Sequence, residues 1–156
     1  MYLSTGLFLI LDRFLKYQSL HAWADPHLLN KYLGWMPYLN PGIGFGLPVP
    51  NLLIIAFTIP IIILIGYLLT INKQNKPVNN STIQQFNNST ISPFIIHNSL
   101  FIILTGALSN FADRIIYHHT VDYFLTLTSL YNLADVMIVA GFAIYLITTY
   151  TLYPKR

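Results

Sequence analysis

Residues 51–71, NLLIIAFTIPIIILIGYLLTI, contain no charged side chain. A helix rises about 1.5 Å per residue, so this run is long enough to cross a hydrocarbon layer of about 30 Å. Inside lipid every backbone N–H and C=O must find a partner within the chain, which leaves helices and closed barrels as the spanning structures. Two further stretches meet the same length requirement: FIIHNSLFIILTGALSNFAD (94–113) and LADVMIVAGFAIYLITTYTLY (133–153). Pro60 should kink the first helix, and Pro93 is well placed to start the second.

Composition agrees with a bilayer as the solvent. The chain is 54% hydrophobic and 8% charged, where a soluble domain carries about 25% charged residues, and its mean hydropathy is +0.56. Its 156 residues suit one domain. A net charge of +3, carried by scattered basic residues, argues against nucleic-acid binding. The lack of cysteine excludes disulfides, thiolate metal sites and a cysteine nucleophile. The apolar start, Met1–Leu11, has neither the basic leader nor the cleavage site of a secretory signal and reads as a retained helix.

The segment MYLSTGLFLILDRFLKY (1–17) is the awkward span, because Asp12 arrives after only about 17 Å of helix. Either Asp12 lies at depth within a bundle or the start of the chain is incomplete. Counting it, the expectation is an all-α membrane protein with a single domain over residues 1–156. Its four transmembrane helices fall near 1–17, 51–71, 94–113 and 133–153, with both termini on one side. Residues 18–50 are rich in Gly and Pro, which predicts turns and short extended, β-like pieces. Trp23, Tyr32, Trp35 and Tyr38 suit a membrane–water interface. Residues 79–94 repeat an octapeptide, NNSTIQQF then NNSTISPF, and predict a polar low-complexity loop over 72–93. Its Asn-x-Ser/Thr triplets read as by-products of the repeat. Counts of Lys and Arg on the two sides tie, unless Arg13, Lys16 and Arg114 are held in a site and do not act as topological anchors.

The five acidic residues are all Asp, and three of them, Asp113, Asp122 and Asp135, fall within 113–135. Ionisable groups near a bilayer are costly and usually functional. If the repeat and the C-terminus share one side, the opposite side collects Asp12 with Lys16, Asn40, Asn110 with Asp113 and Arg114, Asp122, and Asn132 with Asp135. Asp12 and Lys16 are spaced i,i+4 and can pair on one helix face; a structural ion pair is their simpler reading. Asn132 can cap the last span, with Asp135 in its first turn, where the helix dipole favours a negative charge. For Asp113 beside Arg114 the simpler reading is an interfacial ion pair. His118–His119 lacks a ligand set for a metal, and Ser109 lacks a triad. No metal and no cofactor is expected. The economical chemistry left is a pair of aspartates sharing a proton across a water. A proton- or ion-conducting subunit is the alternative from another class, but it would place acids at successive depths, and spans two and four carry none at mid-depth.

GALSNFADR (106–114), TVDYF (120–124) and YNLADVMIVAG (131–141) resemble the signature boxes of the lipoprotein signal peptidases, or signal peptidase II. DRFLK (12–16) and NPGIGFGL (40–47) resemble two further boxes in the same order. The resemblance covers the chain except the repeat. It implies a four-span aspartic endopeptidase of the bacterial inner membrane, cutting a prolipoprotein just before its diacylglyceryl-modified cysteine. Asp122 and Asp135 match the catalytic pair. Asn40, Asn110, Arg114 and Asn132 match polar residues lining the site, and Asp12, Lys16 and Asp113 match its supports. The implied partners are the lipid-modified substrate and membrane lipid, with no nucleic acid and no obligatory protein partner, and the implied active site faces the periplasm. Arg13 stands where Gln is usual, Leu15 where Ser or Thr is usual, and Pro41, Ile43 and Gly44 depart from the second box. The loop between Asp122 and Asp135 is short for the family.

Overall fold

The computed structural model describes residues 2–43, 47–74 and 83–152. Its elements are α1 (Tyr2–Leu20), β1 (His27–Asn30), β2 (Leu33–Asn40), α2 (Asn51–Gln74), α3 (Ile83–Tyr117), β3 (Thr120–Thr126), β4 (Ser129–Tyr131) and α4 (Leu133–Leu152). Among the described residues three helices are long and apolar enough to cross a membrane, over Asn51–Ile71, Pro93–Tyr117 and Leu133–Tyr150. Helix α1 is nearly as long, at 19 residues, but carries Asp12, Arg13 and Lys16.

Several boundaries differ from the sequence expectation. Helix α3 begins at Ile83, ten residues before Pro93, so Pro93 lies inside the helix. Helix α2 runs to Gln74, through Pro60. The loop expected over 72–93 is therefore helical at both ends, while residues 75–82 lie outside the described residues. Strands were expected only in the first long connection. Two of the four lie in the second, because residues 120–131 return as a hairpin onto β2. The sheet is antiparallel throughout, in the order β1-β2-β3-β4. The short connection between Asp122 and Asp135 is this hairpin, whose turn holds Leu127 at φ 58°, with the Leu127 amide donating to Tyr32 O at 2.6 Å.

The burial pattern inverts that of a soluble domain. The largest fully buried side chains include Lys16, Asn132, Asp12, Asp113 and Asp122 beside Tyr123 and Val121, whereas Leu7, Ile10, Leu52, Phe57, Ile63, Val139 and Ile147 are exposed. An apolar exterior around a polar interior is what a lipid solvent selects. The apolar core is small: Ile65, Ile96 and Leu100, flanked by Leu68, Leu69, Ile103, Leu104 and Tyr145. Helices α3 and α4 form the closest helix pair, because glycines stand where their backbones meet. A Cβ at Gly106 would lie 2.6 Å from Ala134 O, and one at Gly141 would lie 2.9 Å from Ser99 O.

Helix α1 is tied to α3 by charge. Lys16 Nζ donates to Asp12 Oδ2 at 3.0 Å, Asp113 Oδ2 at 2.7 Å and Asn110 Oδ1 at 2.8 Å. Arg13 pairs with the other oxygen of Asp113 and also donates to Ser109 O at 3.2 Å. Two cations thus meet two anions, and the cluster is neutral. The expected Asp12–Lys16 pair is present. The expected Asp113–Arg114 pair is not, because Asp113 faces α1 while Arg114 turns toward the loop after β2.

Two outcomes follow from this packing. Gly106→Ala pushes a methyl into the Ala134 carbonyl and should lower the thermal midpoint in detergent, at a cost of about 1–3 kcal/mol; an unchanged midpoint would show that α3 and α4 are not in contact there. Lys16→Met strands Asp12 and should cost about 3–5 kcal/mol. Adding Asp12→Asn should recover part of that loss, and a double variant no more stable than Lys16→Met alone would exclude the pairing.

Candidate active site

The polar groups meet where α3, α4 and the sheet converge. Helix α4 opens with a reciprocal cap: Asn132 Oδ1 accepts from the Asp135 amide at 2.9 Å, and the Asn132 amide donates to Asp135 Oδ2 at 3.2 Å. This is a capping box with Asp in place of Glu. It fixes the Asp135 carboxylate at the mouth of the helix. Its other oxygen, Oδ1, accepts from Asn110 Nδ2 at 2.7 Å. Lys16 holds the Asn110 carbonyl, so the amide can turn only its NH₂ toward Asp135.

Asp122 comes from the sheet. Asn40 pairs with Thr120 across β2 and β3, so Asp122, two residues on, is its diagonal neighbour on the same face. Asn40 Nδ2 donates to Asp122 Oδ2 at 2.9 Å, while Asn40 Oδ1 accepts from the Gly42 amide at 2.9 Å. Asn132 Nδ2 donates to Asp122 Oδ1 at 2.7 Å. The one Asn132 side chain therefore contacts both residues of the pair. Arg114 donates to Gly42 O and, at 3.3 Å, to Asn51 Oδ1; Asn51 Nδ2 returns a bond to Arg114 O at 3.3 Å. This ties the loop after β2 and the start of α2 to α3.

Asp122 and Asp135 line one cavity of about 300 Å³. Its opposite wall is apolar, with Ile54 and Ile61 of α2, Ile103 and Ala107 of α3, and Ile138 of α4. Among the described residues the ion pairs involve Asp12 and Asp113 alone. Asp122 and Asp135 receive only neutral amide donors. Two carboxylates in a partly dry cavity, each without a cation in contact, ionise together only at high cost. Burial accordingly pushes the Asp122 carboxyl up to about 7, and the charge of Asp135 adds to the rise against the opposing bonds from Asn40 and Asn132. The arrangement can hold one proton between two acids, and water-sized space lies beside both.

Apart from the exposed Asp25, the acids thus divide by partner. Asp12 and Asp113 are locked in ion pairs; Asp122 and Asp135 are not. Asn40, Asn110, Asn132 and Arg114 gather with the second pair, and Lys16 joins the two sets through Asn110. His118 and His119 occupy the turn after α3, with His118 in the left-handed conformation at φ 60° and His119 Nδ1 at 2.9 Å from Tyr117 O.

Three participants escaped the sequence reading, and a fourth escaped it in part. Ser109, set aside as a nucleophile, donates to Asp12 Oδ2 at 2.6 Å. Tyr123 donates to Asp12 Oδ1 at 3.0 Å and accepts from the Leu133 amide at 2.9 Å. Asn51 figured only as the first residue of a span, and Arg13, named as a cation that a site could hold, had no foreseen partner in Asp113. Tyr123 carried no signal of its own, because the strand that turns its side chain away from that of Asp122 was not expected.

Comparison with known proteins agrees with this geometry. The family model described as "Signal peptidase (SPase) II" matches residues 4–151. A protein named lipoprotein signal peptidase from Clostridium tetani (strain Massachusetts / E88) is 28% identical over 143 residues, covering 85% of this chain and 81% of its own. Two solved structures, described as bacterial membrane enzymes determined by the in meso method, share the fold. One has a TM-score of 0.74 at 18% identity, over 99% of this chain and 90% of its own. The other has a TM-score of 0.66 at 19% identity, over 99% and 93%. With the family model matched over nearly the whole chain, the chain belongs to the signal peptidase II family.

Proposed function

We propose that this peptidase removes the signal peptide from diacylglyceryl-modified prolipoproteins, just before the lipidated cysteine, with Asp122 and Asp135 as an aspartic dyad. The observation that carries the reading is the division of the acids: one pair neutralised by Lys16 and Arg13, the other beside a cavity and held only by amides. Substrate chemistry fits the cavity's two walls, since a lipidated peptide needs apolar space continuous with the bilayer and a polar end where the amide bond reacts.

Asp122, whose carboxyl is raised by burial, carries the shared proton, and Asp135, at the positive end of α4, is the ionised partner. Asp135 takes a proton from water as its oxygen attacks the scissile carbonyl carbon, and Asp122 gives its proton to the carbonyl oxygen. The tetrahedral diol collapses when Asp135 passes its proton to the leaving nitrogen. The C–N bond breaks, and Asp122 recovers a proton from a diol hydroxyl. The acyl anchor holds the bond in place from a distance, which converts binding energy into orientation.

We also infer four spans and a periplasmic site. Nineteen residues of α1 give about 28 Å of helix. Its charges turn into the bundle while Leu7, Phe8, Ile10, Leu11 and Phe14 face outward. With Arg13, Lys16 and Arg114 engaged in the interior, Lys73, Lys76, Lys155 and Arg156 dominate the remaining basic count. By the positive-inside rule the repeat then faces the cytoplasm. A proton- or ion-conducting subunit gains no support, because the buried acids gather at one end of the bundle.

The decisive assay is cleavage of a diacylated prolipoprotein by purified variants, with binding followed separately. Asp122→Asn and Asp135→Asn should each retain binding and lose turnover by roughly 10³-fold or more. The double variant should be scarcely worse, because the two act as a unit. Asp113→Asn should retain measurable turnover. Near-normal activity in Asp122→Asn, with a folded but inactive Asp113→Asn, would reassign the dyad.

Acidity gives a separate check. Turnover should fall as pH rises through about 7, where Asp122 loses its proton. The fold favours protonated Asp122, so its contribution to stability is full below about 3.8 and is lost as pH rises to about 7. Asp122→Asn should therefore be inactive yet more stable than the wild type above pH 7. A variant that is less stable there would show that the carboxyl is not raised.

A further inference from the structure

We infer that the Tyr123 hydroxyl is a positioning group for Asp135, clamping the first turn of α4 to α1 so that the carboxylate stays in register with Asp122. The inference rests on the reading of Asp135 as a reacting group, but it concerns a residue outside the amide network.

The amides at the start of a helix lack intrahelical partners, and in α4 each has a specific one. Leu133 N donates to Tyr123 Oη at 2.9 Å, Ala134 N to Asp12 Oδ1 at 3.1 Å, and Asp135 N to Asn132 Oδ1 at 2.9 Å. Tyr123 Oη in turn donates to Asp12 Oδ1 at 3.0 Å. Two consecutive amides of α4 therefore hang from one linked pair, a phenol on β3 and a carboxylate on α1. Neither Tyr123 nor Asp12 is among the residues lining the cavity. Tyr123 is fully buried, with its ring stacked on Trp35 at 4.9 Å between centroids. Burial, with the Asp12 charge behind it, raises the phenol above its ordinary value, so the hydroxyl keeps its proton and always donates to Asp12. Tyr123 and Asp122 are adjacent on one strand. A shift of the α4 turn relative to β3 is thus a shift of one reacting carboxylate relative to the other, and small misplacements of reacting groups cost rate steeply.

The test compares two variants that damage the same ring. Tyr123→Phe removes one oxygen; Trp35→Phe weakens packing on the ring and leaves the hydroxyl. Both should lower the thermal midpoint. Tyr123→Phe should also lower kcat per folded enzyme about 10- to 100-fold with KM for diacylated prolipoprotein unchanged, while Trp35→Phe keeps kcat. Equal kcat in Tyr123→Phe and the wild type, or a loss confined to KM, overturns the inference. If Tyr123→Phe does not fold, hydrogen exchange on the unaltered protein decides: the Leu133 and Ala134 amides should exchange as slowly as mid-helix amides of α4, and exchange at the rate of an open helix end overturns the clamp. An active Asp135→Asn would instead overturn the dyad, so the two failures are distinguishable.

Discussion

A charge taken out of water must be met by an opposite charge or given up to a proton. Lys16 meets that constraint for half of the interior. Its three N–H groups go to Asp12, Asp113 and Asn110, and Arg13 supplies the second cation that two carboxylates require. With these acids neutralised, α1 can lie against α3 in an apolar solvent although it carries three charged residues. The remaining acids have no such partner. What separates the ion-paired aspartates from the two proposed as reacting groups is therefore the nature of the nearest donor, since all four sit within one small polar region.

The third donor of Lys16 links the two halves. An amide such as Asn110 has one acceptor end and one donor end, and a cation at the acceptor end dictates which way round it stands. Positive charge thereby fixes a neutral donor on Asp135 without neutralising it. Asn132 works similarly on the other side, bonding β3, the α4 cap and both carboxylates' residues with one side chain. Neutral amides orient the pair, and under the proposed mechanism they leave its proton free to move.

Much of this was legible in the chain. Apolar runs long enough to cross lipid located α2 and α4 closely, and the breakers of 18–50 foretold β1 and β2. Asn132 three residues ahead of Asp135 announced the cap, and the i,i+4 spacing of Asp12 and Lys16 announced their pair. What stayed hidden depended on contacts between distant segments. The hairpin at 120–131 forms because β2 offers an edge, a fact no local pattern contains. Arg13 is assigned by the position of Asp113, a hundred residues away, and Tyr123 by the two elements its hydroxyl happens to join. Pro93 misled because a proline suits either a helix start or a position inside a long helix surrounded by lipid.

Gly106 and Ala134 together set a length. Gly106 lies one turn before Asn110, and Ala134 immediately precedes Asp135. Where they meet, the nearest neighbour of a Gly106 side-chain position is the Ala134 carbonyl oxygen, with the side chains of Ile138 and Met137 just beyond it. Side-chain spacers can change rotamer and stretch; two backbones in van der Waals contact cannot approach further. The separation between the helix that bears Asn110 and the helix that bears Asp135 is thus a mechanical stop. Under the proposed function, an acyl chain entering beside the isoleucines of the cavity would leave that separation unchanged, and the strain of accommodating it would fall on α2, the helix that carries no acid.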